Sequence, residues 1–301
     1  MSDALGLVAL LAIGLAIAAA WLTIATAWLL THPTRRTYAS MLRVGKPGDP
    51  SELDPPRRFE SFTVMIDGTR LDAWSIAGNN STGPVAIVTH GWGDGKVGAL
   101  TRLEAITPYC SRVIAWDLPG HGDSAGSCRL GLVEPELLVG LVEHLSIGGP
   151  IVLYGWSLGG GVGIVAASRL PSVRAVIAEA PYRVAPTPAR NVLTIRRLPR
   201  LPLPIALWLV SIATRRSFAE FDRAEHAARL ENIVLTVIHG EHDEVCPVED
   251  GRAVAEAGGG ECRVIPAGRH NNLWSEHRSA TMDAVRESML RASTGSEPSA
   301  R

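Results

Sequence analysis

The sequence contains little cysteine, and its cysteines are scattered. Four occur in 301 residues, at Cys110, Cys128, Cys246 and Cys262, and they form no CxxC pair. This excludes a small secreted fold held together by dense disulfides, so we expect ordinary core or surface thiols. The nine histidines and four cysteines never cluster at the intervals of zinc ligands, so we predict neither a metal nor another cofactor.

The chain also lacks an excess of charge of either sign. Its net charge is −1, and no basic run alternates with aromatic residues, as a groove for single-stranded nucleic acid would require. We therefore expect no nucleic-acid partner. No internal repeat or break in composition separates two domains, so the length favours one large catalytic domain.

Charge is absent altogether from the first part of the chain. Residues 4–30 include no Asp, Glu, Lys or Arg and exceed the roughly 20 residues that cross a bilayer core. We predict a transmembrane anchor at residues 1–31. The alternative is a cleaved signal peptide, with a possible small-residue site at residues 18–20, but the run is long for one and no basic residue precedes it.

The residues around this segment indicate its orientation. Trp21 and Trp28 lie toward its C-terminal end, where indole rings prefer the membrane interface. Basic residues follow it, whereas only Asp3 precedes it, so we expect a single-pass membrane protein with its catalytic domain in the cytoplasm. These basic residues are Arg35, Arg36, Arg43 and Lys46. Residues 32–58, rich in proline and mixed charges, are predicted to be a linker without helix.

Alternating strands and helices are predicted beyond residue 58. Residues 59–66 and 71–76 flank Asp67-Gly68, a typical hairpin turn. Short apolar runs of buried-strand character follow, separated by helical or mixed segments, which predicts a mostly parallel eight-stranded sheet covered by helices. These runs are residues 85–89, 113–116, 151–154, 175–178, 233–238 and 262–265. The domain is predicted to end at residue 292, before a disordered tail at 293–301.

The most informative motif is the GxSxG sequence at residues 155–159, centred on Ser157. An apolar strand precedes it and a helix rich in small residues follows. This is the context in which a sharp strand-to-helix turn presents a serine as a nucleophile. Serine needs an imidazole to accept its proton and a carboxylate to orient that imidazole.

Two later loops contain such partners, each after a predicted strand. One loop, residues 239–247, contains several acids together with His239 and His242, and the other contains His270. Strand ends at one edge of a parallel sheet are where catalytic side chains meet. The chain order Ser157, Asp243, His270 matches the order of nucleophile, acid and base that accompanies this motif.

Together with His90-Gly91-Trp92 and the DLPGHGDS sequence at residues 117–124, these motifs resemble the α/β-hydrolase superfamily. The resemblance covers residues 59–292 and is greatest to the serine-hydrolase branch with lysophospholipase- and esterase-like members. It implies that Asp243, which precedes a Val-x-Pro segment, is the acid and that His270 is the base. In the family the base follows a glycine directly, whereas here Arg269 stands between Gly268 and His270.

Other acids and histidines remain alternatives. Glu241, Glu244 and Asp250 lie in or near the acid loop. We interpret His239 as a strand-end hydrogen-bonding residue and His242 as solvated, and we expect His90 and His121 to be structural residues bonded to the backbone.

An acyl-transfer site also requires donors for the oxyanion of the tetrahedral intermediate. The residue after the nucleophile, Leu158, is expected to supply one backbone N–H. The resemblance implies that Trp92 supplies the second. The Trp92 side chain is a candidate wall of the pocket or, alternatively, a partly exposed core aromatic.

A segment at about residues 183–217 is basic and apolar together. Long insertions over an active site are usually lids, and this one is suited to cover an acyl pocket and to meet anionic headgroups. The alternative is a proline-broken helical cap packed on the core. Its arginines include Arg190, Arg196, Arg197, Arg200, Arg215 and Arg216.

These features predict a membrane-anchored serine hydrolase that cleaves esters or thioesters, of small-molecule or lipid-like acyl substrates, through an acyl-enzyme on Ser157. An acyltransferase or a peptidase with the same triad is an alternative, because the chemistry is shared. A non-catalytic, membrane-tethered scaffold is the alternative from another class.

Overall fold

A computed structural model describes residues 2–294, and its centre is an eight-stranded sheet. The strand order is β1-β2-β4-β3-β5-β6-β7-β8. Strands β1 and β2 form an antiparallel hairpin, β2 is antiparallel to β4, and the remaining pairs are parallel. The strands are β1 (Phe59–Ile66), β2 (Thr69–Ala77), β3 (Val85–Thr89), β4 (Arg112–Trp116), β5 (Ile151–Trp156), β6 (Val173–Glu179), β7 (Val234–Gly240) and β8 (Glu261–Ile265).

The predicted mostly parallel sheet is therefore confirmed, with small shifts at strand ends. The hairpin turn is also where it was expected, because Asp67 and Gly68 both have positive φ angles, 45° and 73°. A two-residue turn of this kind requires φ above zero at both positions, which Asp-Gly supplies at low cost. Strands β3 and β5, in the middle of the sheet, are buried throughout, as continuous apolar runs require.

Helices cover both faces of the sheet. One face packs against α4, α5, α7 and α9, and the other packs against α3 and α10. The helices are α1 (Ser2–Thr31), α2 (Tyr38–Leu42), α3 (Leu103–Ile106), α4 (Glu134–His144), α5 (Leu158–Ala167), α6 (Pro186–Ile195), α7 (Leu203–Thr214), α8 (Arg223–Ala227), α9 (Val248–Ala257) and α10 (Arg278–Thr294).

Helix α1 is the one described helix long and apolar enough to cross a membrane. Its qualifying stretch, Ala4–Thr31, has 28 residues and a mean hydropathy of 2.5, and little of it is buried against the rest of the protein. These properties suit a membrane span or a signal sequence, since both are long, apolar and N-terminal.

Three segments refine the predicted boundaries. The expectation that residues 32–58 contain no helix is wrong, because they form α2 and a 3-10 turn at Pro50–Glu52. Met41 and Leu53 pack against the core, which holds this proline-rich segment to the domain. Helix α10 includes residues 293 and 294, which were predicted to belong to the disordered tail, and the rest of the predicted tail, 295–301, lies outside the described residues. The segment at about 183–217 forms α6 and α7.

Candidate active site

Ser157 lies at the turn between β5 and α5. Its backbone has φ 52° and ψ −116°, a conformation that residues with a side chain rarely adopt. The strand and the helix approach so closely that a Cβ atom on Gly159 would lie 2.1 Å from the carbonyl oxygen of Thr89. Only glycine fits there, which explains the spacing of the motif around the serine. The Ser157 amide donates to the Glu179 carbonyl of β6 at 2.8 Å.

The structure brings Ser157, His270 and Asp243 together from three separate loops. The distance from Ser157 Oγ to His270 Nε2 is 3.1 Å, and the distance from His270 Nδ1 to Asp243 Oδ2 is 2.7 Å. Because a carboxylate only accepts, Nδ1 carries the proton and Nε2 is free to accept the proton of the serine. This is the geometry of an activated serine nucleophile.

The Asp243 carboxylate is buried and fully hydrogen-bonded. Its Oδ1 accepts from the amides of Val245 and Cys246 at 2.9 and 2.8 Å, and His239 Nε2 lies 3.5 Å from Oδ2. Burial raises the pKa of Asp243, but the hydrogen bonds and charges of His239 and His270 outweigh it and lower the pKa to about 2. The carboxylate is therefore ionised at neutral pH.

The remaining histidines have other partners. His239 is buried, with Nε2 2.8 Å from the Cys246 carbonyl, which agrees with the strand-end interpretation. Its proximity to Asp243 was not predicted. His90 and His121 are buried, and their Nδ1 atoms lie 2.7 and 3.0 Å from the carbonyls of Gly91 and Pro119. Burial lowers the pKa of both, to about 3 for His121, so each is neutral at pH 7. His242 is exposed.

The alternative acids do not reach His270 in the structure. Glu241 accepts from the amide of Ala267, and Asp250 accepts from the amide of Arg183. Glu244 lines the cavity beside Ser157. Only Asp243 among the described acids is within hydrogen-bonding distance of the His270 ring.

A cavity of about 320 Å³ opens beside Ser157, and Trp92 and Leu158 both line it. Within residues 2–294, neither of their backbone amides donates a hydrogen bond to a protein acceptor. Two unused amides next to a serine are what an oxyanion site requires. The Trp92 side chain is part of the wall, and its Nε1 donates to the Leu30 carbonyl at 2.8 Å.

Two buried features near the site were not predicted. Arg102 forms an ion pair with Glu179 at 2.7 Å, and its guanidinium lies over the ring of Trp156, the residue before Ser157. Trp274 Nε1 donates to the same carboxylate at 2.9 Å. A glutamate directly after the apolar run at residues 175–178 is the sequence signal that could have indicated this pair, because an acid is rarely buried unpaired.

The other buried ionic cluster surrounds Lys96. Its Nζ lies 2.9, 2.7 and 2.7 Å from carboxylate oxygens of Asp72, Asp117 and Asp123. Burial lowers the pKa of Lys96, but these acids outweigh it and raise the pKa above its usual value. The three carboxylates are close enough together to hold a metal ion, but the lysine ammonium already supplies the positive charge there.

Comparison with known proteins identifies the fold family. Residues 85–284 match the family described as "Alpha/beta hydrolase family". The chain belongs to the α/β-hydrolase family. The matched region contains β3 to β8, the turn at Ser157 and both loops that contact it.

Individual relatives agree with this assignment. The α/β-hydrolase described here is 27% identical to the uncharacterized protein YfhR of Escherichia coli over 243 residues, which cover 76% of this chain and 78% of YfhR. The esterase Pf2001 of Pyrococcus furiosus is 18% identical with a TM-score of 0.66, and the match covers 87% of this chain and 98% of the esterase. A thermophilic esterase from Thermogutta terrifontis is 21% identical with a TM-score of 0.58, covering 78% and 99%. At these identities the structural likeness concerns the fold.

Proposed function

We propose that this α/β-hydrolase is a membrane-anchored serine hydrolase that cleaves carboxylic esters or thioesters through an acyl-enzyme on Ser157. The observation that carries the proposal is the continuous hydrogen-bonded chain from Asp243 through His270 to Ser157. An ionised Asp243 holds the imidazole in the tautomer whose Nε2 accepts a proton, which a serine nucleophile needs.

In the proposed reaction, Ser157 Oγ attacks the acyl carbonyl carbon while His270 takes its proton. The tetrahedral oxyanion accepts hydrogen bonds from the amides of Trp92 and Leu158, and His270 then protonates the leaving alcohol or thiol. Water activated by His270 releases the acid and restores Ser157. Every proton in this cycle passes through His270 Nε2.

Apolar acyl groups are the proposed substrates. Side chains of α6 and of the residues just before it form one wall of the cavity, so we propose that the segment at about 183–217 is a lid. This wall is mostly aliphatic and aromatic, which suits an acyl chain better than a charged group. Tyr182, Ala185, Ala189, Val192 and Ile195 belong to it. We place the enzyme with the lysophospholipase- and esterase-like members of its family.

The anchor completes the proposal. The length and hydropathy of α1 support a retained single-pass span at residues 1–31, and the basic residues after it support a cytoplasmic catalytic domain. Residues 32–58 then connect the span to a hydrolase domain at 59–292.

Replacement of the nucleophile tests this function. We expect Ser157→Ala to lower hydrolysis of a short nitrophenyl ester at least about 10³-fold and to abolish labelling by a fluorophosphonate probe, because no other group would form the acyl-enzyme. Ser61→Ala, on the exposed side of β1, is the matched control and should keep both activities. Persistent labelling of Ser157→Ala would refute the assignment.

A further inference from the structure

Helix α7 has an apolar face that nothing in the described chain covers. Its inward side packs on the core through Leu203, Ala206, Leu207 and Val210. The outward face is equally apolar, and each of its large side chains is at least 54% exposed. They recur at the spacing of one helix face: Ile205, Trp208 and Ile212 in α7, together with Leu201 in the turn just before it. A contiguous exposed apolar face of this kind marks a surface that binds something apolar.

The neighbour of α7 is the apolar helix α1. The last three turns of α1 bury Thr23, Thr26 and Leu30, one face of that helix, and α1 packs against α7. Residues 4–20 of α1 extend away from the domain with their side chains exposed. The exposed face of α7 therefore lies directly beside a helix whose composition suits the interior of a bilayer.

The length of α1 indicates how deep α7 would lie relative to the surface of a membrane. Its 28 apolar residues extend about 42 Å, whereas a hydrocarbon core is only about 30 Å thick. Roughly eight residues are therefore in excess, which is the length of the stretch from Thr23 to Leu30 that contains the buried face of α1. Trp21, Trp28 and Trp208 are all exposed in this region, as expected for indole rings in the interfacial layer.

Charge is arranged around α7 as an interfacial helix requires. Arg196, Arg197 and Arg200 precede the helix and Arg215 follows it, all exposed. None of these four forms an ion pair with an acid among residues 2–294. Basic side chains at both ends of an apolar helix suit anionic headgroups on either side of its insertion.

The active-site cavity begins where α1 ends. Leu30, Thr34 and Arg36 line the cavity, and the Leu30 carbonyl accepts from Trp92 Nε1. Arg35 donates to the carbonyls of Gly122 and Ser124, which holds the connecting segment on the domain. The six residues from Thr31 to Arg36 span at most about 20 Å even when fully extended. The cavity wall therefore cannot be far from the membrane surface.

We infer that α7 inserts its exposed face into the interface of an anionic bilayer beside α1, and that the two helices hold the mouth of the active-site cavity against that membrane. Acyl substrates then enter from the leaflet. This inference rests on the proposed anchoring by α1, and it adds a second lipid-binding element and a direction of substrate entry.

Depth-dependent fluorescence quenching tests the inference on the full chain in vesicles of phosphatidylcholine and phosphatidylglycerol. Trp208→Cys and Ile212→Cys, each in a Cys262→Ser background, carry an environment-sensitive nitrobenzoxadiazole label. Ile13→Cys, within α1, is the control for the bilayer interior. His144→Cys, exposed at the end of α4 near the start of β5 and away from Ser157, is the control for water.

We expect lipids brominated near the headgroup to quench the labels at 208 and 212 at least about twofold, lipids brominated deep in the chains to quench the label at 13, and neither to quench the label at 144. Labels at 208 and 212 that behave like the label at 144 would overturn the inference. Disulfide cross-linking between copies at residue 208 that survives dilution with lipid would also overturn it, because a second copy would then cover the face.

Two further readouts on the same samples separate this inference from the proposed function. An unquenched label at residue 13 would refute anchoring by α1, and the inference with it. Hydrolysis of a water-soluble ester reports the catalytic site independently, since residues 208 and 212 do not line the cavity. Active protein with a quenched label at 13 but unquenched labels at 208 and 212 would refute the inference alone.

Discussion

At the scale of single residues, the environment of Asp243 defines what its side chain can do. Both oxygens face only donors: two backbone amides at Oδ1, and the rings of His270 and His239 at Oδ2. Such an environment stabilises the ionised form, which explains a pKa of about 2 despite burial. Protonation of the Asp243 carboxylate itself therefore begins only well below neutral pH.

The same environment makes Asp243→Asn a sharp test of the proposed acid. An amide group in this position must direct its NH₂ either at the Nδ1–H of His270 or at the amides of Val245 and Cys246, so one donor always faces another. We expect kcat for a soluble ester to fall about 10⁴-fold, because the wrong tautomer of His270 cannot accept the serine proton.

Glu241→Gln is the matched control, since Glu241 lies in the same loop, is exposed, and accepts from the amide of Ala267 rather than from His270. Its kcat should stay within about twofold of the parent value, as for most exposed substitutions. Steady-state kinetics of both variants shows whether Asp243 or Glu241 is the acid that orients His270. Equal losses in the two variants, or activity retained in Asp243→Asn, would contradict the assignment.

At the scale of elements, the turn at Ser157 depends on how closely α5 approaches the sheet. Gly159 faces the backbone of β3, where an added Cβ would lie 2.1 Å from the Thr89 carbonyl oxygen. Gly163, one helical turn further along α5, has room, because its added Cβ would lie 3.7 Å from the Leu153 side chain. The two glycines lie in the same helix, but only Gly159 lacks the space for a side chain.

This difference predicts opposite effects of the same substitution. We expect Gly159→Ala to lower the free energy of unfolding by about 3 kcal/mol, because the backbone of β3 or α5 has to shift. Gly163→Ala should raise it by about 0.5–1 kcal/mol, since alanine is the better helix former. Chemical denaturation monitored by fluorescence measures both, and a stable Gly159→Ala variant with full activity would disprove the close-approach argument.

At the scale of the whole molecule, the end of α1, the segment at residues 32–58 and the segment at about 183–217 form one side of the cavity beside Ser157. Leu30 and Arg36 belong to the N-terminal part of the chain, whereas Val192 and Arg196 belong to the segment at about 183–217, and all four line the cavity beside Ser157. The Arg196 guanidinium lies 5.1 Å from the ring centre of Trp92, whose Nε1 donates to the Leu30 carbonyl. The apolar helix α1 and the cavity beside Ser157 are thus parts of a single unit.

The proposed orientation of this unit predicts the outcome of a topology experiment. A green fluorescent protein fused to the C-terminus should fluoresce and an alkaline phosphatase fused there should be inactive, because the basic residues after α1 favour a cytoplasmic location. An epitope tag at the N-terminus should stay on the membrane-bound protein. Phosphatase activity would reverse the orientation, and loss of the tag would indicate a cleaved signal peptide.

What the sequence by itself determined is the local structure and the chemistry encoded in short motifs. The eight strands follow from apolar runs, the hairpin from Asp67-Gly68, and the candidate nucleophile from glycines two residues on either side of Ser157. These features are readable because strand period, turn geometry and steric limits act over a few neighbouring residues. The order of the loops after β7 and β8 then indicated Asp243 and His270.

Only the tertiary structure decided which distant residues share the site. The Arg102–Glu179 pair below Trp156, the position of His239 beside Asp243, and the helix formed within residues 32–58 have no local pattern that predicts them. The end of α1 at the cavity and the exposed face of α7 beside it likewise result from packing of segments far apart in the chain. Such contacts depend on the whole arrangement of sheet and helices, because burial and pairing are properties of the folded surface rather than of neighbours in sequence.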